Sequence, residues 1–202
     1  MTPVLVLLVA WLAGGIPFGF LLVRLRSGRD VRTMGSGNIG ATNVLRTAGG
    51  LLGVLTLLLD IGKGTFAVWL SDIVTKGDVF WMSLTALAVM AGHAFPLFLR
   101  FRGGKAVASF IGAFLYLTPV PLLATLLIFV ITVAASRYIS LGSIVAAALF
   151  PLSVWLIEHP PAFVLAAATL AGVFIIYRHW SNILRIGAGN ENVFSLARRQ
   201  VR

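Results

Sequence analysis

The chain has no cysteine in its 202 residues. Disulfides and thiol chemistry are excluded, and the redox compartment leaves no mark. Carboxylates are nearly as scarce, with six Asp and Glu against sixteen Lys and Arg. A metal centre lacks ligands at suitable spacing, because His179 has no acidic or cysteine partner nearby and His159 falls in a different connection. No internal repeat is visible. The first apolar run lacks the basic stretch that opens a cleaved signal, and six more runs follow it, so it reads as a span. What the chain has in abundance is apolar surface: 59% hydrophobic residues and a mean hydropathy of +0.99. Those values exclude an ordinary soluble core.

A membrane-crossing helix needs roughly 20 apolar residues, and about seven such segments fit. They fall at Val4–Leu25, Leu51–Ile73, Val79–Leu99, Ala106–Thr118, Pro121–Ser136, Leu141–Ile157 and Ala162–Tyr177. The predicted architecture is a single all-α integral membrane domain over residues 1–202, with about seven transmembrane helices. Only Thr118-Pro119-Val120-Pro121 divides the fourth segment from the fifth. Two prolines there favour a tight turn. Each half is short, so one of them is expected to tilt or to re-enter.

Charge sets the orientation. The connection after the first span carries Arg24, Arg26, Arg29, Arg32 and Arg46; the one after the third carries Arg100, Arg102 and Lys105. Arg137 follows the fifth span, and Arg178, Arg185, Arg198, Arg199 and Arg202 follow the seventh. The other side receives only Lys76, and Lys63 lies inside the second span. By the positive-inside rule the N-terminus is outside and the C-terminus cytoplasmic. Part of this charge has a plain account: Arg24, Arg26, Arg29, Arg198, Arg199 and Arg202 snorkel at helix ends toward anionic lipid. Arg46, Lys105 and Arg185 sit instead within glycine- and asparagine-rich stretches.

Those stretches hold the chemistry. GSGNIGATN at 35–43 fits G-x-G-x-x-G, and Asp60 lies twenty residues past Gly40. The dinucleotide reading fails, because that fingerprint needs a preceding strand. What remains is a glycine loop able to aim N–H groups at an anion, with Arg46 as a phosphate fork. A polar turn between helices explains the string equally well. Gly103-Gly104-Lys105 is no Walker A loop, since position 99 is Leu99. It precedes a helix start, which suits an anion, although a glycine turn with a snorkelling lysine is the simpler account. His93 is the natural base if a proton must move, but a lone histidine is more often structural. Asp60 and Lys63 share one face of the second span, and an internal structural pair is favoured over a polar route. Gly15 and Gly19 suit close helix packing in the first span. Glu191, near so many cations, suits orienting an Arg or Lys.

Taken together, GSGNIGATNVLR, GHAFP with FLRFRGGKAVA, RYISLGSI and NILR-x4-GNEN resemble the bacterial integral-membrane glycerol-3-phosphate acyltransferases that use acyl phosphate, the PlsY family. The resemblance covers nearly the whole chain. It implies seven helices, an outside N-terminus and a site on the cytoplasmic face of the bacterial inner membrane. It implies transfer of an acyl group from acyl phosphate to the 1-hydroxyl of glycerol 3-phosphate, giving 1-acyl-glycerol 3-phosphate and phosphate. By resemblance, Ser36, Asn38, Thr42, Asn43, Arg46, Gly103, Gly104, Arg137, Ser143, Arg185 and Glu191 bind substrate phosphate, while His93, Lys105 and Asn182 carry catalysis. Either His93 or a substrate phosphate takes the hydroxyl proton.

No cofactor, no metal and no nucleic-acid partner is expected; transient contact with the soluble enzyme that makes acyl phosphate is. Two positions depart from the family pattern. Ala106 stands where the family usually has glycine, asking for a slightly different backbone at the helix start. Val193 stands where a basic residue is common. The H-x-x-x-x-D motif of many glycerolipid acyltransferases is absent, since Phe98, Val164 and Leu184 lie five beyond the histidines. By the same count no His–Asp pair is expected on the cytoplasmic face. The rival reading is a transporter or channel for organic phosphates, which would hold its site at midplane between repeated halves. A scaffold that only gathers lipid enzymes leaves the polar strings unexplained.

The charge split predicts that single Lys76→Cys and Ala48→Cys variants are labelled from opposite sides of intact cells. Labelling of both from one side would overturn the orientation.

Overall fold

The computed structural model describes residues 2–194. Arg198, Arg199 and Arg202, read above as lipid contacts, lie outside the described residues. Among those described there are ten α-helices and no strand. They are α1 Pro3–Gly14, α2 Phe18–Ser27, α3 Ala41–Ala48, α4 Gly50–Thr75, α5 Val79–Ala94, α6 Val107–Leu117, α7 Pro119–Ser136, α8 Ile139–Glu158, α9 Ala162–Arg178 and α10 Trp180–Gly187.

The first span is broken where one continuous helix was expected. Pro17 has no N–H to give, and the chain swings through Gly15–Pro17 before α2 begins. The break takes the carbonyl of Ile16 out of the helical ladder, and it accepts instead from Phe18 N–H at 3.1 Å and from Lys63 Nζ at 2.9 Å. Of the expected pair Gly15 and Gly19, only Gly19 is closely packed, with a Cβ there lying 3.0 Å from Thr56 Cγ2 of α4. Gly14 instead meets the backbone of Val89 on α5, and Gly19 meets the carbonyl of Ile39.

Among the described residues five segments are long and apolar enough to cross a bilayer: 3–27, Gly50–Thr75, Val79–Leu99, Pro119–Ser136 and Ile139–Glu158. A sixth results if α9 and α10, bent by 55° to each other, are taken as one. The expected count of seven is thus not reached by length. The reason is α6, only eleven residues and so about 17 Å long, against a hydrocarbon core of about 30 Å. Thr118 ends it and Pro119 starts α7 at once, in the first turn where proline is tolerated. The other end of α6 is also cut back, because residues 102–106 are not helical. α3 and α10 were not expected. Each is eight residues long, with its polar side chains on one face: Thr42 and Arg46 on α3, Asn182 and Arg185 on α10.

Helix packing inside lipid relies on close approach more than on apolar attraction. α4 and α6 supply it reciprocally: a Cβ on Gly64 would lie 2.2 Å from the Ser109 carbonyl, and one on Gly112 would lie 1.9 Å from the Ile61 carbonyl. Deeper in the bundle Phe110, Phe114 and Phe150 pack with centroids 4.8–5.0 Å apart, Phe150 edge-on to the other two rings. This anchors the start of α6 against α8.

Ala106 caps α6 with φ +62° and is fully buried. Its backbone is therefore the left-handed one that glycine takes easily, and the departure from the family pattern introduces strain instead of a new path. A non-glycine residue there costs about 1–2 kcal/mol, offset by about 0.8 kcal/mol for its buried methyl group. Ala106→Gly should shift thermal unfolding in detergent by no more than a few degrees. Ala106→Val, branched at Cβ in a filled position, should instead lower the unfolding temperature, and by several times that amount.

Candidate functional site

The polar strings meet in one cavity of about 620 Å³. One end is lined by Ser36, Asn38, Thr42, Asn43 and Arg46, by Lys105, by Ser140 and Ser143, and by His179, Asn182, Arg185 and Glu191. The other end is apolar, with Leu57 and Ile61 of α4, Ile111 of α6, Leu126, Phe129 and Val130 of α7, and Ala147 of α8. Leu57 and Val130 are also exposed on the outer surface of the bundle, so the apolar limb opens sideways between α4 and α7.

The 34–43 loop is built around Asn43. Its Oδ1 accepts from the Ser36 N–H at 2.9 Å, and its Nδ2 donates to the carbonyls of Asn38, Met34 and Val31 at 2.8, 3.0 and 3.3 Å. Asn43 is 2% exposed, and its amide is fully committed to the loop. It shapes the site and has no group left for a phosphate. Asn38 accepts from the Gly40 N–H at 2.8 Å and keeps its own Nδ2. Ala41 and Thr42 open α3, so their N–H groups lack an intrahelical acceptor. Those amides, the Ser36 and Thr42 hydroxyls and the Arg46 fork form a donor-rich wall.

Lys105 faces that wall from a re-entrant segment. The chain leaves α5 at Ala94, turns through Leu97–Leu99 and comes back, so that Gly103 N–H donates to Ala94 O and Gly104 N–H to His93 O, both at 3.1 Å. Arg178 of α9 holds the other edge, donating to the Gly103 and Gly104 carbonyls at 2.9–3.2 Å. Gly103 and Gly104 therefore do not bind an anion through their amides and do not line the cavity. Glycine is needed there for contact: a Cβ would lie 2.2 Å from His93 O at Gly103 and 2.2 Å from His93 Nε2 at Gly104. Arg137 is likewise outside the cavity, exposed at the left-handed turn between α7 and α8.

A relay of hydrogen bonds crosses the polar end. Lys105 Nζ donates to Asn182 Oδ1 at 2.6 Å, and Asn182 Nδ2 donates to Glu191 Oε1 at 2.8 Å. Ser140 Oγ donates to Glu191 Oε1 at 3.1 Å and Arg185 Nε to Oε2 at 2.8 Å. Burial favours protonation of Glu191, but the bonds from Asn182, Arg185 and Ser140 outweigh it and hold the carboxyl below its ordinary range. Burial draws Lys105 down to about 8; nearby Arg185, Arg178 and Arg46 add to the fall, and Glu191 partly opposes it. Val193 is exposed and takes no part.

Three groups at the site were missed in the sequence. His179 Nδ1 donates to the Ile175 carbonyl at 2.8 Å, which leaves Nε2 as an acceptor on a cavity-lining ring. Ser140 sits one turn before Ser143 on α8, a spacing that could have flagged it. The third is Asp60, which lines the cavity and lies 3.6 Å from His93 Nδ1. The expectation of no His–Asp pair on this face is thus overturned. The partners are on adjacent helices, 33 residues apart, where a local motif cannot reveal them. His93 is 5% exposed, with Nδ1 toward Asp60 and 3.3 Å from Ser109 Oγ, and with Nε2 against Gly104. At the same time its ring lines the cavity, beside Asp60 and Lys105.

The sequence profile of the glycerol-3-phosphate acyltransferases matches residues 4–189. A glycerol-3-phosphate acyltransferase of Desulforamulus reducens is 45% identical, covering 95% of this chain and 94% of its own. One of Geobacter sulfurreducens is 46% identical, with coverage of 92% and 94%. The fold is similar to crystal structures of PlsY, an integral membrane glycerol 3-phosphate acyltransferase. The glycerol 3-phosphate form gives a TM-score of 0.90 at 37% identity, covering 96% of each chain. The lysophosphatidic acid form gives 0.86 at 35% identity, covering 96% and 95%.

Lys105 is charged below about pH 8, and a phosphate monoester is mostly dianionic above roughly pH 6. A phosphate monoester should therefore bind best between those values and weaken as pH rises through 8. In Lys105→Arg the alkaline loss should move upward, because guanidinium stays protonated. An unchanged alkaline limb in a titration of that variant would exclude Lys105 as the responsible cation.

Proposed function

Because the chain belongs to the glycerol-3-phosphate acyltransferase family, we propose that its cavity joins glycerol 3-phosphate to an acyl group delivered as acyl phosphate. The product is 1-acyl-glycerol 3-phosphate, and inorganic phosphate is released. The observation that carries this reading is the cavity's division into a cationic, donor-rich end and an apolar limb open to lipid. Each substrate has a phosphate for the first, and the acyl donor has a tail for the second. The transporter reading loses its ground, since the polar groups converge at one end of the helices.

In this mechanism Arg46, Lys105 and the 36–42 wall take up phosphate charge. Charge-assisted hydrogen bonds are strong in such a partly dry site. His179 Nε2 accepts from the glycerol 1-hydroxyl and turns its oxygen toward the acyl carbon. The new C–O bond forms as the bond from that carbon to phosphate breaks. The hydroxyl proton passes by way of His179 Nε2 to the departing phosphate, whose second ionisation lies near neutral pH. An acyl phosphate is an anhydride and already activated, so positioning and charge stabilisation supply most of what is needed.

The wider setting follows from charge. The site faces the cytoplasm of a bacterial inner membrane, with the N-terminus outside and seven passes if α6 and its re-entrant segment count as one. A soluble donor-making enzyme meets this face transiently.

Purified protein should form 1-acyl-glycerol 3-phosphate from acyl phosphate without coenzyme A, carrier protein or metal. Lys105→Ala and Arg46→Ala should each remove most of that activity and leave the melting temperature unchanged. Efficient turnover with acyl-coenzyme A and none with acyl phosphate would refute the donor assignment.

A further inference from the structure

Asp60 and Lys63 lie on consecutive turns of α4, 2% and 6% exposed, with Lys63 Nζ 2.6 Å from Asp60 Oδ1. Two charges at this depth are costly, and a buried pair is weak evidence for stability. Apolar side chains of like volume would pack α4 at least as well. The pair therefore calls for a role beyond holding helices together.

Its surroundings give one. Lys63 is tied to the broken first span through Ile16 O. Asp60 turns its oxygen to His93 of α5, 3.6 Å away. The same His93 nitrogen is 3.3 Å from Ser109 Oγ, one turn into α6. The opposite edge of the ring rests on Gly104, where even a methyl group would collide with Nε2. The carbonyl of His93 also accepts from Gly104 N–H. A continuous stack thus runs from Asp60 through the imidazole to Gly104, and the next residue is Lys105.

We propose that Asp60, acting through the His93 ring, is a positioning residue for Lys105. The carboxylate fixes the ring's orientation, the ring fixes the height of Gly104, and Gly104 sets where the ammonium meets phosphate. The proposal rests on the reading above that Lys105 contacts a substrate phosphate. It gives the buried ions a task that depends on geometry, since a shift near 1 Å at a catalytic group can cost a hundredfold in rate.

A double-mutant cycle on purified, folded protein tests it. Asp60→Asn should lower kcat/KM for glycerol 3-phosphate by roughly ten- to a hundredfold, chiefly through KM for that substrate and with little change in KM for acyl phosphate. In a Lys105→Ala background the same substitution should change the residual kcat/KM by less than about threefold, because residues that act as one unit are non-additive. His93→Gln should behave like Asp60→Asn in both backgrounds. If Asp60→Asn fails to fold with Lys63 left unpaired, Asp60→Asn/Lys63→Met removes both charges and takes its place in the cycle. Equal losses with and without Lys105 would overturn the positioning role and leave the phosphate reading intact. A Lys105→Ala variant with full activity would overturn the phosphate reading itself.

Discussion

A backbone amide surrounded by membrane helices must find a partner within the protein, and that requirement shapes the re-entrant segment after α5. The hydrogen bonds from Gly103 and Gly104 to the last carbonyls of α5, with Arg178 on the other edge, satisfy a non-helical stretch that would otherwise be intolerable at this depth. Once the stretch is satisfied, it can carry a lysine inward. The shortness of α6 follows directly, because the residues that would have lengthened it are used in the return. So does the glycine pair, whose missing side chains leave room for the His93 ring and carbonyl.

The same economy appears on the opposite wall. Asn43 joins four backbone groups of the 31–38 stretch, so that loop holds its shape before any ligand arrives. Preformed donors need not reorganise as charge develops, which is where most electrostatic catalysis originates. The apolar limb asks for less. A tail that can lie partly in lipid needs only a gap between helices, and α7, among the least buried of the long helices, forms one side of it.

Hydropathy alone separated most of the spans, because lipid demands long apolar helices and few residues contradict that rule. The weak point between residues 106 and 136 was also visible, since two prolines and two short halves leave little choice. The break at Pro17 was missed, as a proline near the middle of an apolar run does not say whether a neighbour will rescue the freed carbonyl. α3 and α10 were missed for another reason. Their polar faces look like loop until Thr42 and Arg46, or Asn182 and Arg185, are placed at helical spacing. At the site, the strings that meet were legible because polar residues in such a chain are rare. The work of each residue was not. Asn43 and the glycines read as ligand contacts, yet they serve the backbone. Asp60 read as a structural partner of Lys63, and its approach to His93 depends on how α4 and α5 face each other.

Asn182 stands between the lysine and the glutamate, with its oxygen to one and its nitrogen to the other. A carboxylate placed directly against Lys105 would have held it as firmly, but would also have cancelled its charge. The amide transmits direction and withholds neutralisation, so Glu191 steers the ammonium from a distance. An arriving phosphate meets a cation already aimed and still in need of a counterion. The neutral residue in the relay is thus what keeps the site electrically unsaturated until a ligand completes it.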